Sequence, residues 1–299
     1  MHKYRADGAL GSSWHSYVHS DSTVFPPIQE DETAIVVYLF CYFYQKHPDL
    51  KLLTKFYDSM VVPMANFMTD YIDIDTGLPK PSYDLWEQTF LTSTYTTALV
   101  HASLLAASDL AAAADDSSNA VKWRTAANSI QEASHKLLFN KNKSVLLRGI
   151  NVQDGKVVND EVVDCSSVFG AYMYGLFNAG SDEMKSSVKT LEDMFGISGG
   201  SAVGLPRYED DEYRRSSPGI TGNLWFVTSL WLAQYYIDQG EITKAMPILE
   251  WTKAHAGESG IMGEQLDPVT DRYIPPSPLT WTHAEYLTTL LNLVSELGG

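Results

Sequence analysis

Apolar residues recur at intervals of three and four along most of this chain, and that period commits it to an all-α fold. Asp31 to Lys46 opens with acidic residues and sets Ile35, Tyr38, Leu39 and Tyr42 on one face. Leu50 to Tyr71 and Thr92 to Ala114 continue the pattern. A fourth segment carries Trp123, Ala126, Ala127, Ile130, Ala133, Leu137 and Leu138 at helical spacing. Further helices are expected over about 163–178, 182–194, 220–238, 241–254 and 282–297. The last starts on Thr282-His-Ala-Glu285, which reads as a capping box, and stops at Gly298. Only Ser144 to Val163 alternates; with Asp154-Gly155 inside it, it reads as the one β-hairpin.

About nine helices therefore alternate with two kinds of link. Pro48-Asp49 and Ala179-Gly180 are short and plain. Residues 5–30, 72–90, 196–219 and 256–281 are long and rich in Pro, Gly, Trp and acids. Such an alternation suits a ring of paired helices with function at the elaborate end. No linker of biased composition interrupts the 299 residues, so 1–299 reads as a single domain.

Charge narrows the partners. Lys and Arg total 21, Asp and Glu 37, for a net charge of −16, and no basic run exists to hold a nucleic acid. The two cysteines, Cys41 and Cys165, lie far apart in apolar settings and read as buried free thiols. No uninterrupted apolar run of spanning length is apparent, which argues against a membrane segment. The opening MHKYRADGALG lacks the apolar core of a secretory signal, which makes a cytoplasmic location the expectation. If the chain begins inside a longer protein, that opening carries no targeting information.

Several motifs dissolve on inspection. Gly196-Ile-Ser-Gly-Gly200 fits a nucleophile elbow in letters, yet a helix precedes it where a strand is needed. His15 and His19 lack a third ligand nearby, and Asp73-Ile-Asp75-Thr-Gly77 lacks the closing Glu of a calcium loop, so neither a metal nor any other cofactor is called for. Asn142-Lys-Ser144 is a glycosylation sequon of a kind common by chance.

Two carboxylate-bearing loops remain. One runs from Gly77 through Asp84 and Trp86 to Glu87 and Gln88. The other runs from Gly260 through Glu264 to Pro268 and on to Trp281. Hydrolysis of an acetal needs one carboxyl kept protonated and one kept ionised. A neighbour such as Trp86 raises a carboxyl pKa by desolvation. Aromatics make up 12% of the chain, including 7 Trp and 17 Tyr, many in these loops, and ring faces beside carboxylates are what sugar clefts are built from.

The strings around these residues are more specific than the pair. Leu78-Pro-x-Pro-Ser-Tyr-Asp-Leu-Trp-Glu87, Arg207-Tyr-Glu-x-Asp211-x-Tyr213, Gly222-Asn-x-Trp225-Phe226, Glu264-Gln-x-Asp267 and Ser277-Pro-Leu-Thr-Trp281 occur in order, after Leu10-Gly-Ser-Ser-Trp14 and Pro27-Ile-Gln-Glu-Asp-Glu-Thr33. Together they resemble glycoside hydrolase family 15, the glucoamylases, in their prokaryotic form, from about residue 2 to residue 297. The resemblance implies an (α/α)6 barrel with the site at one end. It also implies removal of glucose from the non-reducing ends of α-glucans with inversion. By motif, Glu87 is the general acid and Glu264 the general base. Asp84 and Trp86 flank the acid. Arg207, Glu209 and Asp211 match a segment that grips sugar hydroxyls, while Trp225, Trp281 and Trp14 match aromatic walls. Plainer roles stay open for some: a core position for Trp225, a hydrophobic staple for Trp281, a surface ion pair for Arg207.

The chain departs from the family twice. Gln88 stands where a second acid is usual, in the part that reads the leaving group. The Trp-x-Arg-Asp segment that follows the family's first helix has no counterpart, so about nine of twelve helices are expected here, without the preceding β-sandwich. That pattern predicts an N-terminally incomplete barrel, weakly active or inactive alone, whose gap an oligomer or a missing N-terminal segment would fill. The alternatives are a trehalase, an isomaltose- or dextran-hydrolysing relative, or an inactive carbohydrate-binding or regulatory fragment.

Overall fold

The computed structural model describes Lys3–Tyr4, Leu10–Ser12 and residues 28–200 and 203–298. In chain order the elements are β1 (Lys3–Tyr4), β2 (Leu10–Ser12), α1 (Glu30–Lys46), α2 (Leu50–Phe56), a π-helical turn (Tyr57–Val61), α3 (Val62–Asp70), β3 (Ser82–Tyr83), β4 (Phe90–Ser93), α4 (Thr94–Ala113) and α5 (Ser117–Leu137). There follow β5 (Phe139–Asn140), β6 (Val145–Leu146), β7 (Gly149–Gln153), β8 (Lys156–Asp160), α6 (Cys165–Met173), α7 (Asp182–Met194), β9 (Leu224–Trp225), α8 (Phe226–Asp238), α9 (Ile242–Ala254), β10 (Gln265–Leu266), β11 (Tyr273–Ile274) and α10 (Thr280–Glu296). With α2 and α3 taken as one interrupted helix, the described residues hold the nine helices the period predicts.

The chain divides into two compact units. One comprises residues 1–138, 149–160 and 174–176; the other comprises 139–148, 161–173 and 177–299. In the first, α4 is the central element and packs against α1 and α5. Ser93 caps it, accepting from the Thr96 N–H, and its side chains are buried on nearly every side. By length and composition α4 is apolar enough to cross a bilayer, although His101, Ser103, Ser108 and Asp109 interrupt its apolar residues. Here 72% of its most apolar 18 residues are buried by the protein, as in the core helix of a globular unit. Polar ties lock it in place: Ser103 Oγ donates to the Ala34 carbonyl at 2.7 Å, and His101 Nδ1 lies 2.9 Å from the Ala127 carbonyl of α5.

The long helix expected from Leu50 to Tyr71 is interrupted for a local reason. Pro63 has no N–H to give the carbonyl four residues back, and the chain widens into a π turn just before it. More strand is present than the single expected hairpin. That hairpin forms, with Asp154 at φ 50° and Gly155 at φ 71° making its two-residue turn, but it extends a four-stranded sheet in the order β3-β4-β7-β8. Gly149 is required where β7 meets β4, because a Cβ there would stand 2.3 Å from the Thr92 carbonyl oxygen.

The second unit is organised around α8, buried along its length and packed against α6, α9 and α10. α7 keeps the expected bounds: Ser181 accepts from the Met184 N–H, and Met184, Val188 and Leu191 bury one stripe. α10 starts earlier than expected, at Thr280, and the capping box does not form. Thr282 instead donates to the Gly263 carbonyl at 2.8 Å, and Glu285 accepts from Trp231, Trp281 and Gln234. Short strands β9, β10 and β11 form an antiparallel sheet that ties the start of α8 to the loop bearing Glu264. Cys41 and Cys165 are both buried and free, as expected.

Candidate active site

The acid-bearing loop of the first unit is a tight crossing between β3 and β4, whose register pairs Ser82 with Leu91 and Tyr83 with Phe90. Asp84 is its lock. Buried at 3% exposure, its Oδ1 accepts the N–H groups of Gln88 and Thr89 at 2.8 and 3.1 Å, while its carbonyl accepts the Glu87 N–H at 2.9 Å. Trp86 is buried beside it. The turn puts Glu87 at φ 61°, a left-handed conformation that costs a non-glycine residue about 1–3 kcal/mol and persists only where its surroundings over-determine it. The residue lies at the surface, and its carboxyl pKa is raised, first by desolvation and then by the Glu32 carboxylate.

Beneath this loop lies the head of α1, whose acids stand in the Pro27–Thr33 string and had no individual role assigned from the sequence. The Ile28 carbonyl accepts the Tyr83 N–H at 2.9 Å, and Gln29 Nε2 donates to the Asp84 carbonyl at 3.4 Å. Asp31 accepts from the Thr96 hydroxyl at 3.2 Å; burial above all, with Asp84 and Glu32 adding, pushes its carboxyl up to about 7. Glu30 is fully buried, and neither of its carboxyl oxygens has a hydrogen-bond partner among the described residues. Burial holds its pKa well above the usual carboxylate range.

The second unit gathers Arg207, Asp211, Trp225 and Glu264. Residues 205–209 are stitched to 163–165, with Cys165 N–H donating to the Arg207 carbonyl and Glu209 N–H to the Val163 carbonyl, both at 2.9 Å. That lattice presents Arg207, 3% exposed, to Asp211 in a two-pronged pair: Nε to Oδ2 and Nη2 to Oδ1, each 2.8 Å. The guanidinium lies over the rings of Tyr208, Tyr213 and Trp225 at 5.0, 4.8 and 4.8 Å. Burial opposes its charge, but the Asp211 carboxylate more than offsets this and raises its pKa. The pair is thus a buried clamp, not the surface ion pair that was the plainer reading.

Trp225 pairs with Gln265 across β9 and β10, which brings Glu264 next to the clamp. Its ring is buried against Arg207. Glu264 is half-buried, and Gln265 Nε2 donates to its Oε2 at 2.8 Å. Its pKa is raised by desolvation; Gln265, Arg207 and Arg214 pull it down, and Asp211 pushes it up. Desolvation raises the proton affinity of this carboxyl, and the Gln265 donor and the two arginines oppose it.

The other expected residues stand elsewhere. Glu209 accepts from the Val163 N–H at 3.3 Å and so braces the lattice that carries Arg207. Trp281 lies in the seam of α8 and α10, its Nε1 donating to Glu285 at 3.0 Å and its ring 5.8 Å from that of Trp231. Trp14, like His15 and His19, lies outside the described residues. Sequence reasoning missed Gln265, Asn223 and Arg214, although the first two stand inside quoted strings: a motif marks a position without saying which neighbour its side chain will meet. No group of three or more metal-ligating side chains occurs among the described residues.

The family model for glycosyl hydrolases family 15 matches residues 7–291. An uncharacterized glycosyl hydrolase of Methanocaldococcus jannaschii is 22% identical over 95% of this chain and 45% of its own length. A glucoamylase of Clostridium sp. (strain G0005) is 26% identical over 77% of this chain and 35% of its own. Among solved structures, a bacterial glucoamylase complexed with acarbose superposes with a TM-score of 0.73 at 23% identity, over 90% of this chain and 41% of that one. The chain therefore spans less than half the length of the curated relatives it matches. The structural likeness bears out the all-α fold class of the (α/α)6 glucoamylases, and a family match over residues 7–291 leaves no other assignment: the chain belongs to glycosyl hydrolases family 15.

Proposed function

We propose that residues 1–299 form the catalytic region of an inverting, exo-acting glycoside hydrolase that releases glucose from the non-reducing ends of α-glucans. Glu87 gives its proton to the glycosidic oxygen as the bond from that oxygen to the anomeric carbon breaks. Water forms the new bond from the opposite side and yields its proton to Glu264. Arg207, oriented by Asp211, and the rings around it serve the hydroxyls and the face of the terminal sugar. The observation that carries this reading is the state of Glu264: half-buried, held on one oxygen by Gln265 and set beside a buried arginine clamp. The bound acarbose of the bacterial glucoamylase supports a carbohydrate as the ligand class.

The test is the anomer first released, followed by proton NMR or polarimetry. The β-anomer is expected from an α-linked substrate; predominantly α product would overturn inversion. Glu264→Gln should lower kcat by about 100- to 10,000-fold while acarbose still binds. A near-normal rate would remove it as the base.

Gln88 favours a second reading of the substrate. It is exposed next to Glu87, with its backbone held by Asp84, where it would meet the leaving group. Relative rates on maltose, isomaltose and trehalose separate a glucoamylase from its relatives. An inactive carbohydrate-binding fragment would bind acarbose and turn over none of them.

A further inference from the structure

We propose that Asn223 is a positioning residue for the base: through Gln265 it dictates which oxygen of Glu264 is held by a hydrogen bond and which is left for water. The inference rests on the reading of Glu264 as the base and assigns a role to a residue that never touches substrate.

The argument runs outward from the main chain. The Ser216 N–H donates to Asn223 Oδ1 at 3.1 Å, and Asn223 Nδ2 donates to the Arg214 carbonyl at 2.9 Å. A backbone N–H can only donate and a carbonyl can only accept, so these two contacts fix which way the Asn223 amide points. Its remaining Nδ2 proton goes to Gln265 Oε1 at 2.8 Å. Gln265 must then turn its own NH2 the other way, and that group donates to Glu264 Oε2 at 2.8 Å. Asn223 is 1% exposed and Gln265 is 0% exposed, so water does not compete for these contacts. The Gln265 backbone is itself pinned in β10, opposite Trp225 on one side and Ile274 on the other.

The polarity of two peptide groups is thus passed along two amides to a carboxyl. The outcome favours the ionised form, because a donor on Oε2 stabilises negative charge, and it leaves Oε1 to accept from water. Arg207 and Arg214 favour that charge as well, and Asp211 opposes it. Reversing Asn223 would reverse the relay. In Asn223→Asp the carboxylate can only accept, so Gln265 would turn its NH2 towards position 223. Glu264 would then face the Gln265 Oε1, an acceptor against an acceptor.

Side-chain amide NMR on the whole chain tests this without turnover. In the unaltered protein the Gln265 Nε2 protons should follow a single titration that vanishes in Glu264→Gln. In Asn223→Asp that response should be lost, and the Glu264 pKa should rise by about one unit. Where turnover is measurable, kcat should fall about 10-fold or more, with KM within about 2-fold and the acid limb of the pH profile shifted upward. Gln265 protons indifferent to pH in the unaltered chain would overturn the relay, and that measurement needs no variant to fold. So would an unchanged response in a folded Asn223→Asp. Release of α-product with the Gln265 titration intact would count against Glu264 as an inverting base and leave the relay standing, which keeps the two failures apart.

Discussion

Asp31 and Glu30 show how much chemistry one helix start can hide. Both are acidic residues at the head of α1, and in sequence they stand in the Pro27–Thr33 string with no individual role. Folding buries them under the loop that carries Glu87. The Asp31 carboxyl, ordinarily near 3.8, rises to about 7 through burial, with Asp84 and Glu32 adding. The folded state therefore holds this proton more tightly than the unfolded chain. Its contribution to stability is fully present below pH 4 and is lost as pH rises through about 7. Asp31→Asn should flatten that loss and gain at most about 4 kcal/mol at pH 8 relative to the unaltered chain, with little difference at pH 4. Urea unfolding at the two pH values checks it; parallel pH dependence in both proteins would contradict it. Glu87 and Glu264 were legible as candidates because each stands in a loop beside Trp, Pro or Gly. The lock at Asp84 and the clamp at Arg207 were legible only as letters near them.

At the scale of elements the helical period placed nine segments well and their ends less well. The start of α10 moved because side chains that would have capped it found tertiary partners. Thr282 donates to the Gly263 carbonyl in the loop that carries Glu264, and Glu285 takes three donors from α8 and α10. The period over Thr92 to Ala114 starts two residues early because Thr92 and Ser93 belong to β4, paired with β7. That pairing yields a sharp expectation. Gly149→Ala puts a methyl group 2.3 Å from the Thr92 carbonyl oxygen, in a place walled by Leu91 and Ser93. It should destabilise the chain by about 2–3 kcal/mol, seen as a lower urea midpoint at unchanged slope. An unaffected midpoint would mean that β4 and β7 separate at no cost.

Over the whole molecule, apolar surface is unevenly covered. α1 is apolar nearly all round, and Val36, Leu39, Tyr42 and Phe43 are exposed on it. α10 exposes Leu287, Leu291 and Val294, a stripe at helical spacing. A helix apolar on all sides expects neighbours on all sides, and exposed stripes of this kind drive association. We propose that a second copy of the chain covers these faces. The isolated chain should therefore show species larger than a monomer in sedimentation velocity at micromolar concentration. The pair Leu39→Lys and Leu291→Lys should shift it towards monomer. A single sharp monomer boundary for the unaltered chain would contradict the proposal.

The sequence by itself determined the all-α class, the family and the two loops that bear the carboxyls, because helical period and motif order are properties of neighbouring letters. Only the tertiary structure decided that α4 is a buried core helix, that Arg207 is a sandwiched clamp, and that Asn223 and Gln265 stand behind Glu264. Those outcomes depend on which distant groups meet once water is excluded. A buried amide or carboxyl must then find a partner from whatever the fold brings to it, and no local pattern names that partner in advance.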